Sequence, residues 1–258
     1  MRKNQQGATL IVVLILLVVI TIIGTLAVRN SLTALNIATN SQAQQLLVQN
    51  SDSAIFNVED PRFLVRNLAY DGLFGLIKSD ANKGKELVFC YKGVQSQFFN
   101  LSQASLMQWV SGTSPSGTEL GPDGYCKLGG SANFFTSGRK AVMTQVSLKV
   151  NTNTADIVAG IDNPFSFMQQ GTDTESAKID KSEKIFVIAT SIMPTLSTAS
   201  DTEINNCFSK HMNQVVIPSG VTAATGMDKS VSECLQDLGV PVNTQVTEYN
   251  LTQAFERT

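Results

Sequence analysis

From Ala8 to Val28 the chain runs through residues that carry no charge, no proline and no amide side chain. At 1.5 Å per residue a helix of that length covers about 30 Å, enough to cross a bilayer. Past Arg29 the pattern stays helical, with Leu32, Leu35, Leu46, Leu47, Val48, Ala54, Ile55 and Val58 apolar and Ser, Thr, Asn and Gln between them. No proline occurs before Pro61. The periodicity therefore predicts one helix from about Thr9 to Asn57, apolar all round in its first half and amphipathic in its second. Asp60-Pro61 ends it, because proline excludes helical geometry for the residue before it. Gly24 is a local soft point within it.

Beyond Pro61 the apolar positions change period. Glu86–Tyr91 reads as a strand, and Leu101–Val110 as a short helix with Leu101, Leu106, Trp109 and Val110 free to pack. Residues 111–130, rich in Gly, Ser and Pro, make a loop around Cys126. Val142, Thr144, Val146, Leu148 and Val150 alternate with Met143, Gln145, Ser147 and Lys149, the pattern of a half-buried strand. Lys184–Met193 is apolar on both faces and predicts a central strand. Asn151–Lys181 is polar and irregular, Met227–Leu238 reads as a helix containing Cys234, and Pro241–Leu251 as a last strand. A long helix followed by an antiparallel sheet with extra loops and small helices is an α+β arrangement.

Composition narrows the classes. With 258 residues, 43% apolar and 16% charged, the chain can bury a core and is too mixed to be disordered throughout. The formal charge is −2, and no Lys/Arg cluster interleaves with aromatics, which argues against nucleic acid as a partner. Arg2 and Lys3 precede the apolar run and Arg29 follows it, a slight bias toward a cytoplasmic N terminus with the rest outside. An ordinary cleaved signal peptide has a shorter apolar region of about 7 to 15 residues. Cys90, Cys126, Cys207 and Cys234 all fall on the outer side, where disulfides are permitted. Four cysteines allow three connectivities. The expected one closes the shortest loops, Cys90 with Cys126 and Cys207 with Cys234, each stabilising by roughly 3 to 4 kcal/mol on loop-entropy grounds.

The basic hexapeptide Met1–Gln6, then Gly7 and the run Ala8-Thr9-Leu10-Ile11, resembles a class III leader, the prepilin signature of type IV pilins and type II secretion pseudopilins. The resemblance covers about 35 residues. It implies a pilin-like fold, and a prepilin peptidase that cuts between Gly7 and Ala8 and methylates the new amine of Ala8. The implied organisation is a leader at 1–7, a transmembrane helix at 8–28, the periplasmic amphipathic half of the spine helix at 29–60, and a globular head at 61–258. Val12 stands where that family usually has a glutamate, which is thought to neutralise the terminal amine of a neighbouring subunit in the apolar filament core. Lacking it is what is proposed for K-type pseudopilins and PilX-type minor pilins, and the string Gln5–Leu14 looks like the PilX form.

That resemblance implies a minor pilin of a pilus tip or priming complex that starts assembly and supports twitching motility and adhesion. Its implied partners are V-, W-, E- or FimU-type minor pilins, a PilY-family tip adhesin and the prepilin peptidase. It would sit in the inner membrane, single-pass with a periplasmic head, and at the pilus tip after assembly. The alternatives are a K-type pseudopilin capping a secretion pseudopilus, or a membrane-anchored periplasmic adaptor or enzyme. The Asn- and Gln-rich stretch from Asn30 to Asn50 reads as a solvated helix face, or more sharply as lateral contact with other pilin spines.

Enzyme signatures are poor. His211 is the one histidine, and no G-x-S-x-G elbow occurs. Cys207-x-x-x-His211 could be half of a zinc site, but Cys90 and Cys126 lack compact ligand spacing, so a solvated histidine beside a bridged cysteine is expected. Asp173, Glu175, Asp180 and Glu183 share one polar loop that could suggest calcium, which K-type pseudopilins bind, yet no D-x-D-x-D-G loop is present and a solvated loop is the simpler reading. No cofactor and no metal is therefore assigned. Ser137-x-x-Lys140 lacks the partner motifs of serine acyltransferases, and Asn100-Leu-Ser and Asn250-Leu-Thr fit glycosylation sequons that mean little in a bacterial chain.

Overall fold

A computed structural model describes residues 6–93, 98–115, 117, 120–129, 134–136, 138–151 and 183–251. The chain falls into two compact units, Met1–Gln45 and Leu46–Thr258. The first is the greater part of helix α1 (Gln6–Glu59), and α1 enters the second unit from Leu46.

In the second unit α1 buries a single stripe, Leu47, Ser51, Ala54 and Val58, whose spacing of four, three and four residues is one helix face. The helix stops at Glu59, where Pro61 forbids continuation. Asp60, itself buried, fixes the exit. Its carboxylate accepts from the backbone N–H of Arg62 at 3.0 Å and from the Arg62 guanidinium at 2.6 Å. The hydrogen bonds from Arg62 hold that carboxyl below its usual range. Two short helices follow, α2 (Leu64–Leu68) and α3 (Leu73–Lys78). Gly72 between them is required by contact, since a Cβ there would lie 2.1 Å from the Arg66 carbonyl oxygen.

Among the described residues five antiparallel strands form the sheet: β1 (Glu86–Tyr91), β2 (Ala104–Met107), β3 (Met143–Val150), β4 (Glu183–Ile192) and β5 (Val242–Leu251), in the order β2-β1-β3-β4-β5. Val88 lies opposite both Ser105 and Ser147, Val146 opposite Ala189, and Val187 opposite Thr247. Between β4 and β5 the chain forms α4 (Asp201–Lys210) and α5 (Val231–Asp237). Both helices open with a reciprocal capping box, Ser200 with Glu203 and Ser230 with Glu233, which satisfies two otherwise orphaned backbone donors at each end.

One face of the sheet packs Leu87, Phe89, Leu106, Val146, Leu148, Ile185 and Val187 against Ala54 and Val58 of α1 and Leu73, Phe74 and Ile77 of α3. The other face is covered too, by Ile204, Cys207, Phe208, Val231 and Leu235 of α4 and α5, and by Met212, which joins Val88, Met107 and Trp109. The α+β, pilin-like class implied by the sequence holds, with one more layer than a helix on an open sheet.

That extra layer corrects two expectations. β3 is not half-buried: all eight of its residues are covered, because α4 and the chain around 211–214 lie over the face that carries Gln145, Ser147 and Lys149. Leu101–Val110 is not a helix. A 3-10 turn at Leu101–Gln103, capped by the Asn100 side chain, leads into β2, which buries Ala104 and Leu106 on one face and Met107 on the other. Pairing with β1 overrides the helical spacing of its apolar residues. The helix expected over Met227–Leu238 is shorter, starting only after the Ser230 cap.

Candidate functional site

Gly7 and Ala8 lie in the first turn of α1, while residues 1–5 lie outside the described region. Val12 follows one turn later, 61% exposed, in a helix whose residues from Thr9 to Gln42 are all exposed. This is the one helix among the described residues long and apolar enough to cross a membrane. The helix satisfies its own backbone, and the Thr21 and Thr25 hydroxyls donate to the Val18 and Ile22 carbonyls at 2.8 and 2.9 Å. Each hydroxyl thus keeps a partner when water is absent. The helix continues through Gly24, at which a Cβ would touch nothing within 4 Å. From Thr9 to Val28 this surface is a continuous, largely apolar cylinder without a carboxylate, since Val12 supplies no group to neutralise an amine.

In the second unit polar groups key α1 to the sheet. The Ser51 hydroxyl donates to Ser191 Oγ on β4 at 2.8 Å, Ser191 meets Thr144 on β3 at 2.8 Å, and Asn243 Nδ2 on β5 donates to Ser51 at 3.2 Å. Ser51, Thr144 and Ser191 are fully buried, where an unpaired hydroxyl would be costly. Thr136 Oγ1 donates to Asn50 Oδ1 at 2.6 Å, and the Tyr249 hydroxyl donates to Glu59 at 2.7 Å. Burial, with that bond, raises the Tyr249 phenol above its ordinary value. Sequence reasoning missed this set, although the signal was present: Ser51 falls on the same helix stripe as Leu47, Ala54 and Val58.

The candidate catalytic groups do not converge. Cys90 is bonded to Cys126 and Cys207 to Cys234, with Cα separations of 4.9 and 5.7 Å, so Cys207 offers no thiolate to a metal. The solvated histidine expected at His211 is instead buried at 7% exposure, its Nδ1 3.1 Å from the Lys229 carbonyl oxygen, because the segment after α4 folds back over the sheet. No group of three His, Cys, Asp or Glu side chains placed to hold a metal occurs among the described residues. Asp173, Glu175 and Asp180 lie outside them, as does Ser137, and Glu183 opens β4. Asn100 caps the turn before β2, and Asn250 sits in β5.

The most unusual buried chemistry is structural. Glu86 and Lys149 face each other across the β1–β3 ladder, fully or almost fully buried. The Glu86 carboxylate accepts from the Asn213 backbone N–H at 3.0 Å, from Asn213 Nδ2 at 2.8 Å and from the Gln214 N–H at 3.3 Å, while Lys149 Nζ donates to the Gln214 carbonyl at 3.4 Å. Burial pulls the Lys149 ammonium below its ordinary range, and the Glu86 charge opposes that. The pair clamps the 213–214 chain onto the sheet rather than opening to solvent. A shallow groove lined by Phe63, Arg66, Asn67, Gly72, Phe98 and Phe99 holds about 190 Å³, below the roughly 300 Å³ at which small-molecule pockets begin.

Residues 6–56 match the family model described as PilX N-terminal. No curated protein matches the chain, and no solved structure does.

Proposed function

We propose that the chain, whose residues 6–56 match the PilX N-terminal family model, is a PilX-type type IV minor pilin that acts in the tip complex that primes pilus assembly, supporting twitching motility and adhesion. The observation that carries this is Val12 in the exposed Thr9–Gln42 stretch of α1, which holds no carboxylate. A subunit that cannot neutralise a neighbour's terminal amine suits the filament end, where no further subunit has to be captured. The prepilin peptidase removes residues 1–7 and methylates Ala8, the 8–28 segment holds the chain in the inner membrane with residues 29–258 periplasmic, and assembly carries the head to the cell surface. Its partners on this reading are V-, W-, E- or FimU-type minor pilins and a PilY-family tip adhesin. The mechanism is noncovalent: apolar packing of α1 among other spines, then docking of the head.

Mass spectrometry of the membrane-extracted chain from cells with an active prepilin peptidase should find methylated Ala8 at the N terminus. An intact leader would defeat the reading. Deletion of the chain should abolish or sharply reduce surface pili, and co-purification should recover pilus minor pilins; recovery of secretion pseudopilins in their place would move the chain to the pseudopilus.

A further inference from the structure

Among the described residues β5 ends the sheet, and its hydrogen-bonding pattern shows which groups it leaves open. In an antiparallel ladder a residue directs both its N–H and its C=O to the same neighbour, and the next residue directs both the other way. Asn151 N–H donates to the Lys184 carbonyl on the β3 side, and Met193 N–H to the Pro241 carbonyl on the β5 side. Even-numbered residues of β4 therefore bond to β3 and odd-numbered ones to β5. Through the register Ile185 with Tyr249 and Val187 with Thr247, the odd-numbered residues of β5 bond inward. The backbone groups of Val242, Thr244, Val246, Glu248 and Asn250 point away from the sheet, over about 27 Å of strand. None of them has a backbone partner among the described residues.

Exposed edges are usually blunted by brevity, proline, lysine or a bulge. The opposite edge strand, β2, is four residues long. β5 has ten residues in ten consecutive pairs, without proline or lysine. Its single charge, Glu248, is already answered by Lys184 of β4 at 3.3 Å. Its other side chains are largely β-formers, and Val246 stands 58% exposed in the middle.

We propose that the β5 edge receives an extended, uncharged segment of a different subunit of the same tip complex, which adds to the sheet as a sixth strand. This rests on the minor-pilin reading above. The backbone ladder itself specifies an extended peptide, and with Glu248 already paired to Lys184 the edge gives a charged strand no counter-charge to pair with. Two β5 strands paired antiparallel would be related by a half turn about an axis normal to the sheet, so their Leu46–Glu59 stretches, which pack on one sheet face, would run in opposite directions; a second copy on this edge is an outcome that the test below distinguishes.

The test uses the full-length chain in piliated cells, with the photoreactive amino acid p-benzoylphenylalanine at Val246. The expected adduct is to one segment of another pilus subunit, mapped by mass spectrometry. In the purified complex, amide exchange at Thr244, Val246 and Glu248 should slow by about 100-fold relative to the chain alone in detergent, as ladder formation requires. Val246→Pro removes an outward N–H and no β4 bond, and Val246→Lys adds an edge charge. Both should keep the wild-type melting temperature within about 3 °C, and each should cut recovery of the partner at least about tenfold, whereas Val246→Thr keeps it. An adduct only to a second copy, fast exchange of those amides within the complex, or unchanged recovery with both variants folded would each overturn the proposal. In those cases, a chain that still co-purifies with minor pilins leaves the minor-pilin reading standing; a chain that co-purifies with none defeats that reading itself.

Discussion

Glu86 is the residue on which the far face of the sheet depends most. It accepts from three N–H donors of Asn213 and Gln214 and lies across the ladder from the buried Lys149, whose ammonium its charge favours. Replacing Glu86 with Ala leaves an uncompensated buried cation and should cost about 3 to 5 kcal/mol in denaturant unfolding of the detergent-solubilised chain. A change below about 1 kcal/mol would mean that the 213–214 chain finds other partners. Tyr125 gives a pH dependence. Burial, with the nearby Glu86 charge, pushes its phenol up from 10.0 to about 12. The unfolded chain then loses the proton before the folded one does, so stability is intact below pH 10 and falls as pH rises toward 12. Unfolding midpoints measured at pH 9 and pH 11.5 should differ, and Tyr125→Phe should flatten the difference. At the other end of the chain, Val12→Glu should leave cleavage after Gly7 intact but reduce piliation, because it puts a carboxylate without its usual partner into the apolar α1 surface. Normal piliation by that variant would remove Val12 as a marker of a terminal subunit.

Among the elements, α4 and α5 are stapled as well as capped. The Cys207–Cys234 bond spans 27 residues and joins the two helices that cover the sheet. Cys207→Ser with Cys234→Ser should lower stability by about 3 kcal/mol, visible as a lower melting temperature that no longer responds to reductant at that site. Neither helix start was read from the sequence, although the capping-box sequences Ser200-x-x-Glu203 and Ser230-x-x-Glu233 carry the signal: the periodicity placed the start of α5 at Met227, and the apolar stripe of α4, only Ile204, Cys207 and Phe208, escapes it. The strands β1, β4 and β5 were legible because alternation or continuous apolarity marks them. Segment 101–110 was not, because its apolar residues fit either period and only the β1 partner decides between them. Of the site, the α1 surface was readable from composition alone. The Glu86 clamp was not, since its partners lie 127 residues away at Asn213 and no local pattern connects them.

At the scale of the molecule, the sheet is a middle layer, with α1 and α3 on one side and α4, α5 and the 211–214 chain on the other. A half-buried sheet was the natural expectation because polar residues alternate along β3, and in solution those residues would mark a wet face. Here they are the partners of a covering layer, as Gln145 accepts from Cys126 N–H and donates to the Phe208 carbonyl. The Ser51 contacts have a mechanical consequence. Ser51 bonds to Ser191 on β4 and to Asn243 on β5, with Thr144 on β3 backing Ser191, so a pull along α1 strains the two Ser51 bonds side by side rather than one after the other. Such a seat behaves as a shear pin: it holds without creep up to a threshold and then lets go at once. Stretched by its helix in a single-molecule force experiment, the Ser51→Ala chain should release its head at a lower and more variable force than the native one, and equal forces would place the strength in the apolar stripe instead.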